Sequence, residues 1–334
     1  MAVDSQAIVG AGEQKTRRAL PVETGVAFVL LVLVVWLSLV FPDKFRTGGN
    51  AAVILSQIAE VGIIAAGMTL VIATGGIDIS VGSVLGLCGI VLGKLAVEKG
   101  WSLPAAFAAS IVVGGACGWL NGTLIARFKL PPIIATLATF SAARAGAYVL
   151  SKGDSISFYV DKRPELSNIM SSLGYDNWLG IPRTAWVAIA TLFVIGIALK
   201  KTAFGRSVLA FGGNRQAAEL SGIKVRRVEI WVYVVSGLLA GLAAIVVTAR
   251  ASTATADAGK LFELKAITAV VLGGTPVIGG RATALGTALG MLVIGVVNNG
   301  VRNYGKDDLW GQLVLGLALL AAVEVDRIRN RKKA

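Results

Sequence analysis

Ten apolar stretches of about membrane-crossing length punctuate this 334-residue chain, two of them short, and no other feature restricts its fold as much. The first runs from Thr24 to Pro42. The others cover approximately 52–76, 79–97, 101–126, 132–150, 184–199, 230–249, 266–280, 282–301 and 309–323. At about 20 residues per crossing, ten spans consume about 200 residues and leave room for loops but no sizeable soluble domain. The remaining composition agrees: 55% of residues are apolar and only 15% are charged, where a soluble domain of ordinary composition carries about a quarter. The expected fold is therefore an all-α integral membrane protein of about ten helices. Residues 1–23 form an N-terminal tail, 24–325 the transmembrane domain and 326–334 a basic tail. The segments at 266–280 and 309–323 are short, and tilted, re-entrant or broken helices would suit them.

The first run resembles a secretory signal, because Lys15, Arg17 and Arg18 precede it. It is too long for a signal core and is followed by Leu39, Val40, Phe41 and Pro42, with no small-residue cleavage site, so it reads as an uncleaved anchor. Counting Lys and Arg on alternate sides of ten spans, with both termini cytoplasmic, places 18 inside and 13 outside. Acidic residues widen the contrast to net +10 against net +3, which fits the positive-inside bias. The overall charge of +13 thus encodes orientation, and no nucleic-acid partner is expected. With no histidine in the chain, a His-based triad, base or metal site is excluded. Cys88 and Cys117 each lie inside an apolar run and read as small core residues, not a disulfide.

Two loops are long enough to meet partners. The outer one, 151–183, mixes charges with Tyr159, Tyr175 and Trp178, and suits either a solvated connector or a docking surface for an external protein. The inner one, 200–229, contains GRSVLAFGGNRQAAELSGIKVRR. There Asn214 is a good helix N-cap, Arg215 to Ser221 make about two turns, and Gly222 suits a left-handed C-cap. A capped helix flanked by Gly212, Gly213 and Gly222 has the form of a rigid peg that another molecule grips. The plainer alternative is an interfacial helix held by anionic lipid through Lys200, Lys201, Arg226 and Arg227.

Within the spans, GMTLVIATGGIDISVGSVLG (67–86) combines Gly75, Gly76, Ser80 and Gly82 with a charge at Asp78. VVLGGTPVIGGRATALG (270–286) echoes it, because Gly75, Gly76 and Gly82 match Gly273, Gly274 and Gly280 at an offset of 198. Transporters build pathways at such interrupted helices, whereas close packing needs glycines but neither Asp78 nor Pro276. Glu60 and Arg144 are further charges within spans, and their burial cost makes them functional candidates. Each also has an ordinary resolution in a mutual ion pair, backbone carbonyls or snorkelling. Asn121, Asn298 and Asn299 either tie helices together or line a pathway.

These blocks together, with PPIIATLATFSAARAGAYVLSKG around Arg144, and AITAVVLGGTPVIGG followed by VVNNGV, resemble the ribose/xylose/arabinose-type permeases of bacterial ABC sugar importers, in order from about residue 50 to 325. The resemblance implies a multi-pass inner-membrane subunit that pairs with a second copy or close homologue, two cytoplasmic ATPase domains and a periplasmic sugar-binding protein. It implies that Phe211–Gly222, including Ala217, Ala218 and Ser221, is the loop that couples to the ATPase. Asp78 falls in the block the family writes GGIDLSVG, with Ile79 in place of the usual Leu. Pro276 and Val277 depart from the family pattern, as does the Arg-Gly pair, shifted by one at Ala145–Gly146. No GxxxxGK[ST] loop occurs: Gly93–Lys94 has Cys88 in place of the first glycine and Leu95 in place of Ser or Thr. ATP and Mg are therefore expected on a partner, with no cofactor on this chain. An ion-coupled secondary transporter, a membrane enzyme, and a nucleoside or branched-chain amino acid permease are the rival classes.

Overall fold

The structure is a computed structural model that describes residues 22–160, 163–305, 309–314, 316–318, 320 and 324. The expected N-terminal and basic C-terminal tails lie almost wholly outside these residues. The chain runs α1 (Val22–Val40), α2 (Pro42–Phe45), α3 (Gly48–Ala73), α4 (Val81–Gly93), α5 (Leu103–Ala126), α6 (Pro132–Ser151), α7 (Pro164–Tyr175), α8 (Arg183–Lys201), α9 (Ala203–Gly213), α10 (Arg215–Leu220), α11 (Val225–Ala251), α12 (Phe262–Leu272) and α13 (Ala284–Asn303). A π-helical turn, Lys94–Glu98, extends α4.

Among the described residues, eight helices are long and apolar enough to span a membrane: α1, α3, α4 with its π turn, α5, α6, α8, α11 and α13. The expected count of ten is thus not met there, for two reasons. The segment at 266–280 is a broken helix, because α12 has 11 residues, about half a bilayer deep, and the chain then turns at Gly273 and Gly274. The segment at 309–323 lies partly outside the described residues, with a short apolar helix over Leu309–Ala318.

α3 is the central post. From Val61 to Ala73 every residue is buried, as expected of a helix apolar on all sides. α1 is peripheral and seats Leu37 against Gly300 of α13. The most intimate pair is α5 with α11. A Cβ on Gly114, Gly118 or Gly122 would strike the backbone of Gly237, Tyr233 or Ile230, and one on Gly237 or Gly241 would strike α5. This spacing of four places small residues on one stripe and lets backbones touch where lipid supplies no hydrophobic drive.

The outer loop 151–183 is not a simple solvated connector. It carries α7, whose Leu166 and Met170 are buried and whose Gly174 rests on Ala249 of α11. Ile156–Ser157 pairs antiparallel with Thr253–Ala254, and Arg163 donates to the Ala96 carbonyl at 2.7 Å.

Candidate functional site

The peg on the basic face is built from two capped helices. Thr202 Oγ1 accepts from Gly205 N at 3.1 Å to start α9, and Asn214 Oδ1 accepts from Ala217 N at 2.9 Å to start α10. Gly222, at φ +83°, ends α10 with Gly222 N donating to Glu219 O and Ile223 N to Ala218 O. Phe211, Ala218 and Val225 form a small core inside the peg. Arg215 stacks over Phe211 and meets both oxygens of Glu229 at 3.3 and 3.2 Å. Two helices locked this way behave as one body, and Leu220 stands 84% exposed at the tip.

The base of the peg rests on both glycine breaks. A Cβ on Gly212 would collide with the carbonyl of Ala73, the last residue of α3, and lie 2.6 Å from Gly280 N. Gly280 N in turn donates to Ala73 O at 2.9 Å. Gly75, Gly76, Gly212, Gly213 and Asn214 line one open cavity of about 790 Å³ together with Tyr233. By contrast a Cβ on Gly213 would meet only Gly280 Cα, at 4.0 Å.

The two breaks share one device, and the structure corrects their alignment. After α3, Gly75 N donates to Ile72 O and Gly76 N to Val71 O; after α12, Gly274 N donates to Val271 O and Thr275 N to Val270 O. Both are Schellman closures with glycine at positive φ, +78° and +94°. Gly75 therefore corresponds to Gly274, an offset of 199 where the glycine match suggested 198. Gly82 and Gly280 are not equivalents: Gly82 lies in α4 against Gly259, and Gly280 lies in the turn at φ +85°.

Between α3 and α4 the chain carries a buried polar knot. Asp78 Oδ1 accepts from Ser80 N at 3.0 Å and Ser80 Oγ at 2.6 Å, and Oδ2 accepts from Ser236 Oγ of α11 at 3.0 Å. Asn121 of α5 donates to Ser80 Oγ at 2.9 Å and accepts from Thr139 of α6 at 2.5 Å. Tyr233 donates to Ile77 O at 3.4 Å. Asp78 is 1% exposed, so in this conformation it ties four segments together.

On the opposite face Glu60 pairs with Arg250 of α11 at 2.7 Å, and Arg250 also reaches Ser56 O at 3.1 Å. Glu60 and Arg144 therefore do not pair with one another. Arg144 donates to the carbonyls of Ala256 and Ala258, the latter at 2.9 Å, which brings the α11–α12 connector down onto α4 at Gly82 and Gly86. The same connector is held by Tyr148, which donates to Asp257 at 2.6 Å, and by Lys260 on Asp257. Those two partners hold the exposed Asp257 carboxyl below the usual carboxylate range, Lys260 first. Gln57, Glu60, Arg250, Lys265, Asn298 and Arg302 line a second cavity of about 310 Å³. No cluster of three metal-ligating side chains occurs among the described residues.

Residues 50–323 match the family described as "Branched-chain amino acid transport system / permease component". The chain is 40% identical over 301 residues to the ribose import permease protein of Bacillus subtilis, covering 90% of this chain and 91% of that one. It is 34% identical over 305 residues to the fructose import permease protein of Rhizobium meliloti, with 90% and 83% covered. It is 35% identical over 310 residues to the L-arabinose ABC transporter permease protein of Azospirillum brasilense, with 93% and 89% covered. The chain belongs to this family of permeases. No solved structure matches it.

As a multi-pass inner-membrane permease, the protein brings together candidates that the sequence left apart. Gly75 and Gly76 meet the peg at one cavity, and Asn298 lines the other with Glu60. Asn299 instead donates to Asn50 of α3 at 2.6 Å, and Gly273 packs on Gly286. Ser80 belongs to the Asp78 knot. Arg250 is not a candidate from sequence alone, because it stands at the end of the 230–249 apolar run, where a loop cation is ordinary. Nor is α9 among the expected elements, although Thr202 three residues before Gly205 is a legible cap.

Proposed function

We propose that this chain is the membrane pathway of an ATP-driven importer in the bacterial inner membrane, and that it moves a monosaccharide, ribose-like or a related sugar, from a periplasmic binding protein to the cytoplasm. The observation that carries the mechanism is the seating of a capped, tip-exposed peg on the ends of α3 and the α12–α13 turn. A partner that grips Leu220, Ser221 and Gly222 and shifts on binding and hydrolysing ATP and Mg moves Gly212 against Ala73 and Gly280. That push reorients α3 and α13 together, as alternating access requires, provided the substrate's binding energy differs between the two states. Two copies of the chain, or one with a close homologue, enclose the route with their shared face in the bilayer. The peg faces the cytoplasm in this orientation, which agrees with the excess of Lys and Arg on that face.

The sugar assignment rests on the ribose, fructose and arabinose permeases to which the chain is similar. The family description, which names branched-chain amino acids, keeps that substrate as the second reading. Co-purification of the tagged protein in mild detergent, with an ATPase assay and solute-induced melting shifts of the cognate external binding protein, tests both. Recovery of a soluble ATPase, hydrolysis uncoupled by Gly213→Trp or Asn214→Pro, and stabilisation of the binding protein by a pentose or related monosaccharide are the expected results. Purification alone, with uptake driven by an ion gradient in liposomes, overturns the ATP-driven reading. Stabilisation by leucine and not by sugars overturns the substrate.

A further inference from the structure

Two hollows on the basic face adjoin one another, and their chemistries differ. The first, about 840 Å³, is lined by Arg127 at the end of α5 and by Lys224, Arg226 and Arg227 at the start of α11. All four are exposed, and none of their side chains has a hydrogen-bond or ion-pair partner among the described residues. The one carboxylate in the lining, Glu219, is turned to Arg215 at 3.7 Å. The second hollow, about 490 Å³, is wholly different: Val112, Gly115, Ala116 and Trp119 of α5 face Ile230, Trp231 and Val234 of α11. Ile230 lines both, so the two hollows adjoin there and are taken together as one groove.

The depth profile fits a single kind of molecule. Trp119 precedes Arg127 by eight residues, so it lies about 12 Å deeper along α5, and Val112 lies about 22 Å deeper. Trp119 and Trp231, each 57% exposed, thus stand below the cations and form the upper walls of the apolar trough. The floor is the α5–α11 glycine contact, which brings the backbones so close that side chains rise only at the rims. Four cationic side chains without partners at the mouth and an indole-walled apolar trough below them match, in order, an anionic headgroup and an acyl chain.

We propose that this groove is a site for an anionic phospholipid, with its phosphate among Arg127, Lys224, Arg226 and Arg227 and one acyl chain between α5 and α11. Only the leaflet, the inner one, rests on the orientation given above. Because α11 begins immediately after the peg, a lipid seated there also braces the peg's trailing hinge.

The full chain reconstituted in phosphatidylcholine bilayers with brominated phosphatidylglycerol tests it by tryptophan quenching. The Trp119 and Trp231 signal is the part lost in a Trp119→Phe/Trp231→Phe variant. Brominated phosphatidylglycerol is expected to quench that part with at least about fivefold preference over brominated phosphatidylcholine, the size of one cation's attraction to an anionic lipid surface. Arg127→Gln/Lys224→Gln/Arg227→Gln should abolish the preference while quenching by brominated phosphatidylcholine persists, which shows the variant folded in the bilayer. Lys200→Gln/Lys201→Gln removes two exposed cations outside the groove and should keep the preference. Equal loss in that control, or no preference in the parent, overturns the site as diffuse charge. Absence of quenching by either lipid means a second copy covers the groove. Abolition by added ATPase subunit means the hollow is a protein contact, and competition by millimolar glycerol 1-phosphate means a soluble phosphate site. Each of these outcomes also overturns the proposal, and none bears on transport, so failure here leaves the permease function standing.

Discussion

The two glycine breaks leave their helices by the same hydrogen-bonded closure and then part company. After α3 the chain returns within seven residues, Thr74–Ser80, and buries a carboxylate against Ser80 and Ser236. After α12 the connection takes eleven residues, Gly273–Thr283, carries no acid and leaves Ile278 74% exposed. The first break is a fixed anchor bound to α5, α6 and α11. The second has two further positive-φ glycines, Gly279 and Gly280, and reaches beyond itself at the Ala73 carbonyl beside the peg and, at its far end, through Thr283 Oγ1, which donates to Glu23 of α1 at 2.8 Å. An internal echo thus supplies one fixed and one responsive joint, and the peg touches both at the point where they meet.

The strongest way to break the comparison is Gly212→Val. A side chain there has to displace the backbone of Ala73 or Gly280, an overpacking cost of about 1–3 kcal/mol. Coupled uptake is expected to fall by about tenfold, the factor that about 1.4 kcal/mol added to the barrier of the coupled movement supplies. Gly213→Ala, whose Cβ would meet only Gly280 Cα at 4.0 Å, should retain most uptake. Transport assays in vesicles with ATPase counts decide it, and equal loss in both variants would show that the tight seat is irrelevant.

Asp78 sharpens the contrast from the anchored side. Asp78→Leu strands Ser80 and Ser236 in the interior, at about 1–3 kcal/mol for each unsatisfied group, and should lower the melting temperature markedly. Asp78→Asn keeps shape and one acceptor and should cost about 1–2 kcal/mol. If Asp78→Asn melts like the parent but transports poorly, the residue has a pathway role in another conformation. If stability and transport fall together, it is an anchor.

Much of this plan was legible in the chain. Long apolar runs gave the membrane helices, and Asn214 with Gly222 gave α10, because caps and spans are local properties. Partnerships were not legible. Glu60 meets Arg250, 190 residues away, and Arg144 meets carbonyls rather than a charge. The α5–α11 stripe of Gly114, Gly118, Gly122, Gly237 and Gly241 was hidden among 41 glycines, where spacing alone does not say which stripe finds a partner. The segment at 266–280 had the composition of a span, but Gly273–Gly274 closes the helix after Leu272, and the same closure gave the two breaks their likeness.

Smaller effects separate peg from joint. Asn214→Ala removes the α10 cap, about 1 kcal/mol, and Gly222→Ala strains a positive-φ position by about 1–2 kcal/mol. Neither touches a glycine break, so both should loosen the peg, seen as faster amide hydrogen exchange confined to α9 and α10, while the Asp78 knot stays protected. Exchange that spreads into α3 would mean that peg and anchor form one cooperative unit.

The smallest expected effect lies at the far end of the responsive half. The connector before α12 is held by Tyr148, Asp257 and Lys260 at the surface, whereas the anchor's carboxylate is enclosed. Lys260 and Tyr148 depress the Asp257 carboxyl, so its contribution is present above the usual carboxylate range and is lost as pH falls through the lowered folded-state value. The parent should therefore melt slightly above Asp257→Asn at neutral pH, and the gap should close below about pH 4, the ordinary Asp range. The pair is exposed and so open to screening, and high salt should narrow the same gap at neutral pH. A gap that ignores both acid and salt would show that Asp257 acts by packing, and that the responsive half is held at its outer end by the Arg144 contacts alone.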